Sequence, residues 1–185
     1  MEAAVAAHPE LVINQTVVRL VREDITELEV DAVVFYAQPD LALGSGFGGA
    51  IGVRGGASIQ KELNELVGEG PIATCEAVVS GAGKLNAEFI IHAVGPRFRE
   101  DDIEGKLLET MKNVLQRAEE KGVVSLAFPA MGAGYYGIPA PVSGKVMFEA
   151  LKGHLSGETG IRDVRICLLD APQFKAFESA MAALS

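Results

Sequence analysis

Apolar positions along the chain follow two alternating rhythms. Short runs that are nearly continuous in apolar residues read as strands: residues 11–21 with Val17, Val18, Leu20 and Val21, residues 31–36 (DAVVFY), 73–80, 87–94 (AEFIIHAV), 123–128 and 164–169 (VRICLL). Between them the apolar spacing lengthens to that of a helix. One helix ends near Val67, with Ile59, Leu63, Leu66 and Val67 on one side, and Gly68 and Gly70-Pro71 stop it. Another covers 104–121, where Leu107, Leu108, Met111, Val114, Leu115 and Ala118 form one stripe. A third runs from about 140 to 155, with Pro139 and Pro141 near its start, and a fourth covers 173–184 with Phe174, Phe177 and Met181 inward.

Apolar strands separated by helices predict a sheet buried on both faces. The expected fold is a three-layer α/β/α arrangement around a mixed, largely parallel central sheet. The 185 residues, 49% hydrophobic, suit one domain over 1–185, with a core of about 11–184 and residues 1–10 as an N-terminal extension.

The net charge of −9 alters the expected partners. A protein this acidic lacks the clustered Lys and Arg that general nucleic-acid binding needs. An anionic ligand stays open, because backbone N–H groups at helix starts hold anions without net positive charge. Cys75 and Cys167 lie far apart, both in segments read as strands, and are expected to be small buried thiols in a reducing compartment. No metal-ligand spacing, no cofactor motif and no long apolar run is present, and MEAAVAAHPE has no basic start, so a cytoplasmic protein without membrane contact is expected.

The chemistry-bearing motifs are two glycine segments. GSGFGG places Gly44, Gly46 and Gly49 in G-x-G-x-x-G spacing, and GAGYYG repeats it with Gly132, Gly134 and Gly137. Each is read as a loop after a strand and before a helix, which in a parallel sheet puts both at the carboxyl edge, where ligands bind. Successive N–H groups in such loops can cup a phosphate, and two cups on one edge suit a diphosphate. The dinucleotide fingerprint fails on context. Gly44 comes eight residues after Tyr36, and Glu65 and Glu69 lie in or just after a helix instead of ending a strand. A phosphate loop of the G-K-[ST] kind is also lacking.

At this point the chain resembles a macrodomain. The matching words are EDIT (23–26), VDAVV (30–34), GSGFGGAI (44–51), FIIHAVGP (89–96), LAFPAMGAGYYGIP (126–139) and ICLLD (166–170). The resemblance implies binding of ADP-ribose or a derivative, free or protein-attached. It implies that Asp24 accepts from the adenine amino group and that the Ile25 N–H meets the adenine ring. Gly46, Phe47 and Gly48 would lie against the phosphates and the distal ribose. Gly132, Ala133, Gly134, Tyr135 and Tyr136 would form the second phosphate loop, with Tyr136 beside the distal ribose. Asp170 and Ala171 would border the adenine pocket. Simpler roles remain beside these: Asp24 as the cap of a turn, Asp170 as the cap of the last helix, Tyr135 as a surface residue. His92, within an apolar run, is read as core.

The chain also departs from the family. Hydrolytic members carry Asn-Ala-Ala-Asn after the second strand, where this chain has Phe35-Tyr36-Ala37-Gln38. Gln38 stands at the catalytic Asn position, its amide displaced by one methylene. Gly48 stands where many hydrolases place a polar or acidic residue. The favoured expectation is a binding module with little or no hydrolysis, similar to the macrodomains fused to histones. The alternatives are a hydrolase of ADP-ribosyl or O-acetyl-ADP-ribose bonds, a phosphatase of ADP-ribose 1″-phosphate, or a fold relative with a different ligand, such as another nucleotide diphosphate or an RNA end, as the bulky Phe35 and Tyr36 suggest.

Overall fold

The computed structural model describes residues 8–68 and 70–184. The N-terminal residues 1–7 and Glu69, on which the readings of leader and ribose acid partly rest, lie outside the described residues. Seven strands form one sheet: β1 (Glu10–Ile13), β2 (Thr16–Val21), β3 (Ala32–Tyr36), β4 (Ala77–Gly81), β5 (Phe89–Ala93), β6 (Ser125–Phe128) and β7 (Asp163–Cys167). Their spatial order is β1-β2-β7-β6-β3-β5-β4. The five central strands are mutually parallel, and β1 and β4 run antiparallel at the two edges. This is the expected three-layer α/β/α fold with a mixed, largely parallel sheet.

The helices are α1 (Gly46–Gly55), α2 (Ala57–Val67), α3 (Ile103–Glu120), α4 (Ala140–Leu155) and α5 (Ala171–Leu184). Alternation along β3 divides the core. Ala32, Val34 and Tyr36 join the cluster made with α3, α4 and α5, whereas Val33 and Phe35 join the cluster containing Ile51, Ile59 and Leu63 of α1 and α2. Adjacent residues thus reach opposite layers.

Several boundaries differ from the sequence reading. Residues 11–21 are a hairpin, not one strand: Asn14 takes a left-handed conformation (φ 54°), and Leu11 and Val12 pair back onto Val18 and Val17. Residues 73–76 are loop, because Cys75 has φ 78° and its groups turn to other partners. Its N–H donates to Val94 O, its carbonyl accepts from Asn113 Nδ2, and its thiol meets Lys106 O at 3.4 Å. Cys75 is buried but off the sheet, and Cys167, on β7, is only partly buried, so the picture of two buried strand thiols is corrected. The helix ending at Val67 is preceded by another, α1, with Gly56 (φ 92°) breaking the two apart.

His92 is fully buried, as its apolar setting implied. The Ser80 hydroxyl donates to Gly81 O and so accepts from the His92 Nε2–H at 2.8 Å. Burial depresses the imidazole pKa to about 3. Ahead of the start of β7, Glu119 of α3 bonds His154 Nε2, the Thr159 hydroxyl and the Gly160 N–H, tying α3, α4 and the approach to β7 together. Among the described residues no helix is long and apolar enough to cross a membrane.

Candidate functional site

Because the five central strands are parallel, the segments after β2, β7, β6, β3 and β5 all leave one edge of the sheet. Asp24 follows β2, Asp170 follows β7, the second glycine segment follows β6, Gln38 and the first glycine segment follow β3, and Pro96 follows β5. A cavity of about 390 Å³ opens there between the two glycine segments. Phe35, Gln38, Leu43, Gly46 and Phe47 form one side, and Pro129, Gly132, Ala133, Tyr135 and Tyr136 the other. Its volume is in the range of small-molecule sites.

The first glycine segment is itself the start of a helix, which corrects its reading as a loop. Gly44 and Gly46 keep left-handed backbones (φ 66° and 62°), but Gly49 lies inside α1 and has none. Ser45 occupies the N-cap with extended backbone and makes no side-chain capping bond. The first N–H groups of α1, on Gly46, Phe47 and Gly48, therefore have no acceptor within the helix. They carry the positive end of its dipole, beside the cavity.

Gly48 serves packing. A Cβ there would lie 1.7 Å from the Leu43 carbonyl oxygen and 3.0 Å from the Phe35 ring, so the site tolerates no side chain of any polarity. Gly48 itself is buried and does not line the cavity.

The second segment is a tight turn followed by one turn of 3-10 helix, Gly134–Tyr136. Gly132, Gly134 and Gly137 all have left-handed φ (75°, 73° and 80°). The Ala133 N–H is used internally, donating to Ala130 O, and the Ile138 N–H closes the loop on Gly132 O. The N–H groups of Gly134 and Tyr135 begin the 3-10 turn and have no acceptor inside it. Of the five residues expected to cradle phosphate, Gly134 and Tyr135 carry donors that the 3-10 turn leaves free. A Cβ on Gly134 would meet nothing within 4 Å, so this glycine is required for its backbone and faces open space.

Phe35 and Tyr36 brace the two walls. The Phe35 ring meets Phe47 of α1 edge-on at 5.1 Å between centroids. The Tyr36 ring lies 4.7 Å from Tyr136, and its hydroxyl donates to Pro96 O. Burial pushes the Tyr36 phenol far above its ordinary pKa and also raises that of Tyr136. Tyr135 is 86% exposed and meets Tyr136 edge-on, so it stands at the mouth. Gln38 is partly buried, and its Nε2 would lie 3.8 Å from a Cβ on Gly44, which puts the amide against the first glycine wall.

Asp24, Ile25, Asp170 and Ala171 lie outside this cavity, on the neighbouring strand ends. The Leu168 N–H donates to Val21 O and brings these ends together. Asp24 caps a 3-10 turn, Ile25–Glu27: its Oδ1 accepts from the Thr26 N–H at 2.9 Å and from the Thr26 hydroxyl at 2.6 Å. These bonds, with Arg54 near the other oxygen, hold its carboxyl below the usual range. Ile25 is buried under it. Asp170 Oδ1 accepts from the Gln173 N–H at 2.9 Å, so this acid caps α5, and Ala171 opens that helix. Both capping roles weighed from the sequence are therefore filled. Leu169, beside Asp170, is an exposed apolar surface (68%).

Sequence reasoning gave no site role to Ala42, Leu43, Ser45, Pro129 and Ala130, which also line the cavity; Ser45, Pro129 and Ala130 lie inside the quoted motifs, whereas Ala42 and Leu43 come from a loop with no pattern. It also missed Arg54, whose helical position gives no hint of the acid it meets. Among the described residues no cluster of three or more His, Cys, Asp or Glu is placed to hold a metal.

Comparison with known proteins places this geometry. The Macro domain family matches residues 36–147. A protein of Pyrobaculum aerophilum is 40% identical over 159 residues, covering 85% of this chain and 87% of its own. A macro domain-containing protein of Caldanaerobacter subterraneus is 32% identical over 169 residues, covering 88% and 94%. Among solved structures, an Oceanobacillus iheyensis macrodomain with ADP superposes with a TM-score of 0.91 at 24% identity, over 96% of each chain. A Trypanosoma brucei macrodomain in complex with ADP-ribose gives 0.76 at 24% identity, over 88% of this chain and 68% of that one. The structural likenesses establish the fold, and the sequence relatives, aligned over most of the length, establish descent: the chain belongs to the macro domain family.

Proposed function

We propose that the protein binds ADP-ribose or a close derivative and acts as a binding module with little or no hydrolysis. The diphosphate would sit between the N–H groups at the start of α1 and those of Gly134 and Tyr135. Tyr136 would wall the distal ribose. The base would extend along the sheet edge to Asp24 and the Ile25 N–H, with Leu169, Asp170 and Ala171 alongside. Relatives of this fold have been solved with ADP and with ADP-ribose, which supports the same ligand class here.

One observation carries the choice of binder over hydrolase. Among the described residues that line the cavity there is no carboxylate, imidazole, amine or thiol. The side chains that titrate there are tyrosines, and those of Tyr36 and Tyr136 are pushed toward the neutral phenol. Nothing there can act as a general base near neutral pH. Gln38 offers an amide, and its extra methylene moves that amide by about 1.5 Å from the reach of an Asn, a displacement on the scale that costs about 10²-fold in rate. The similarity of FPAMGAGYYGIP to the macrodomains fused to histones supports the same reading.

The test is one protein sample assayed two ways. Calorimetric titration with ADP-ribose should give micromolar or tighter binding, unaffected by EDTA. Phosphorus NMR with ADP-ribose 1″-phosphate and mass spectrometry with O-acetyl-ADP-ribose should show conversion no faster than the buffer control. Turnover well above that control would establish the hydrolase instead and direct attention to Gln38 and a substrate-held water.

A further inference from the structure

Arg54 occupies the last turn of α1, at the end remote from the first glycine segment. Its guanidinium faces two acids: Nη2 lies 3.4 Å from Asp24 Oδ2, and Nη1 lies 2.5 Å from Glu27 Oε1. The oxygens of Asp24 are thereby divided. Oδ1 is committed to Thr26, through both its N–H and its hydroxyl. Oδ2 is turned to Arg54. A carboxylate oxygen has two lone-pair sites, so Oδ2 can keep Arg54 and still accept one more N–H.

We propose that Arg54 is a positioning residue that fixes the Asp24 carboxylate so that Oδ2 presents its remaining lone pair to the exocyclic amino group of a purine, and thereby sets the preference for adenine. This rests on the reading of the site given above. With Oδ1 pinned by Thr26 and Oδ2 by Arg54, the torsion of the carboxylate is set before ligand arrives, which removes an ordering cost from binding. The Asn86 amide donates to Glu27 O at 3.1 Å and steadies the turn that carries Glu27.

The same helix supplies both ends of the site. The N–H groups at its start face the cavity, and Arg54 at its finish meets the base-reading acid. A helix of ten residues is about 15 Å long and stiff. The spacing between phosphate subsite and base subsite is therefore built into one element. The ion pair itself is partly exposed (42% and 37% for the two side chains), so it adds little stability, and its contribution is direction.

The experiment compares ADP-ribose with its hypoxanthine counterpart, which lacks the amino donor, on wild type, Arg54→Ala, Arg54→Lys, Asp24→Ala and the Asp24→Ala/Arg54→Ala double variant, each checked for folding by circular dichroism. Arg54→Ala should raise the Kd for ADP-ribose about threefold to fivefold and leave the hypoxanthine ligand unchanged, so that base preference falls by the same factor. Arg54→Lys should recover part of the loss. In the Asp24→Ala background, Arg54→Ala should add nothing. Equal weakening for both ligands, a loss that persists without Asp24, or tighter binding by Arg54→Ala would overturn the proposal. Failure of the wild type to bind ADP-ribose would overturn the assignment of the site itself, a separate result.

Discussion

Phe35 and Tyr36 are neighbours on β3, yet their rings leave opposite faces of the sheet and each meets one of the two glycine segments: Phe35 touches Phe47 of α1 and Tyr36 meets Tyr136 at a tilt, 4.7 Å between centroids. The alternation of a strand turns two adjacent aromatics into two props, one per wall.

Removing the wall ring that meets one prop should loosen that wall. Tyr136→Ala deletes the tilted ring contact with Tyr36, an arrangement worth about 1 kcal/mol, and should raise the Kd for ADP-ribose about fivefold. Tyr136→Phe keeps the ring and should bind within a factor of about two of wild type. Isothermal calorimetry on the two variants separates ring from hydroxyl. Equal losses would mean that the hydroxyl, and not the ring, contacts the ligand.

Gly48 is held by packing, so its replacement should act on folding. Gly48→Ala puts a methyl into the Leu43 carbonyl and should destabilise the protein by about 3 kcal/mol or more, measured by urea denaturation. By contrast Gly46→Ala meets nothing within 4 Å and should cost only the strain of a left-handed backbone, about 1 kcal/mol. A mild effect at Gly48 would mean that the Leu43 loop moves aside readily.

His92 should make stability depend on pH. Its folded pKa of about 3 lies below the ordinary value of 6.5, so the folded state binds fewer protons than the unfolded chain between these values. Its contribution is fully present above pH 6.5 and is lost as pH falls toward 3, amounting to about 2 kcal/mol between pH 7 and pH 5. His92→Leu removes this titration and leaves Ser80 bonded to Gly81 O. Unfolding free energies at the two pH values should therefore converge in the variant. An unchanged slope would assign the pH dependence to other groups.

The layer order and the placement of both glycine segments at one sheet edge were legible in the sequence, because strand and helix periods alternate and glycine clusters mark where they meet. Residues 140–155 are helical over the full span that the pattern indicates. Other details were set by backbone geometry that hydropathy does not encode. Asn14 turns a run of β-forming residues into a hairpin, and Cys75 takes a positive φ that keeps residues 73–76 off the sheet. The site was legible as motifs but not as contacts. Gly48 was legible as a motif glycine, but its packing role was not, because the Leu43 carbonyl that excludes a side chain there comes from a loop with no pattern of its own. Arg54 was invisible because its partner Asp24 lies thirty positions away, joined to it only by the fold.

The most direct test of the central claim is a calorimetric titration of ADP-ribose into wild type, Gly134→Ala and Gly134→Glu. Gly134→Ala is the control for the positive φ at this position, since Ala and Glu bear the same backbone strain there. Gly134→Ala should bind with modestly reduced affinity, while Gly134→Glu, folded by circular dichroism, should show no binding, because its carboxylate occupies the space of the diphosphate and repels it. Wild-type affinity in folded Gly134→Glu would contradict the claim that the second glycine segment holds the ligand.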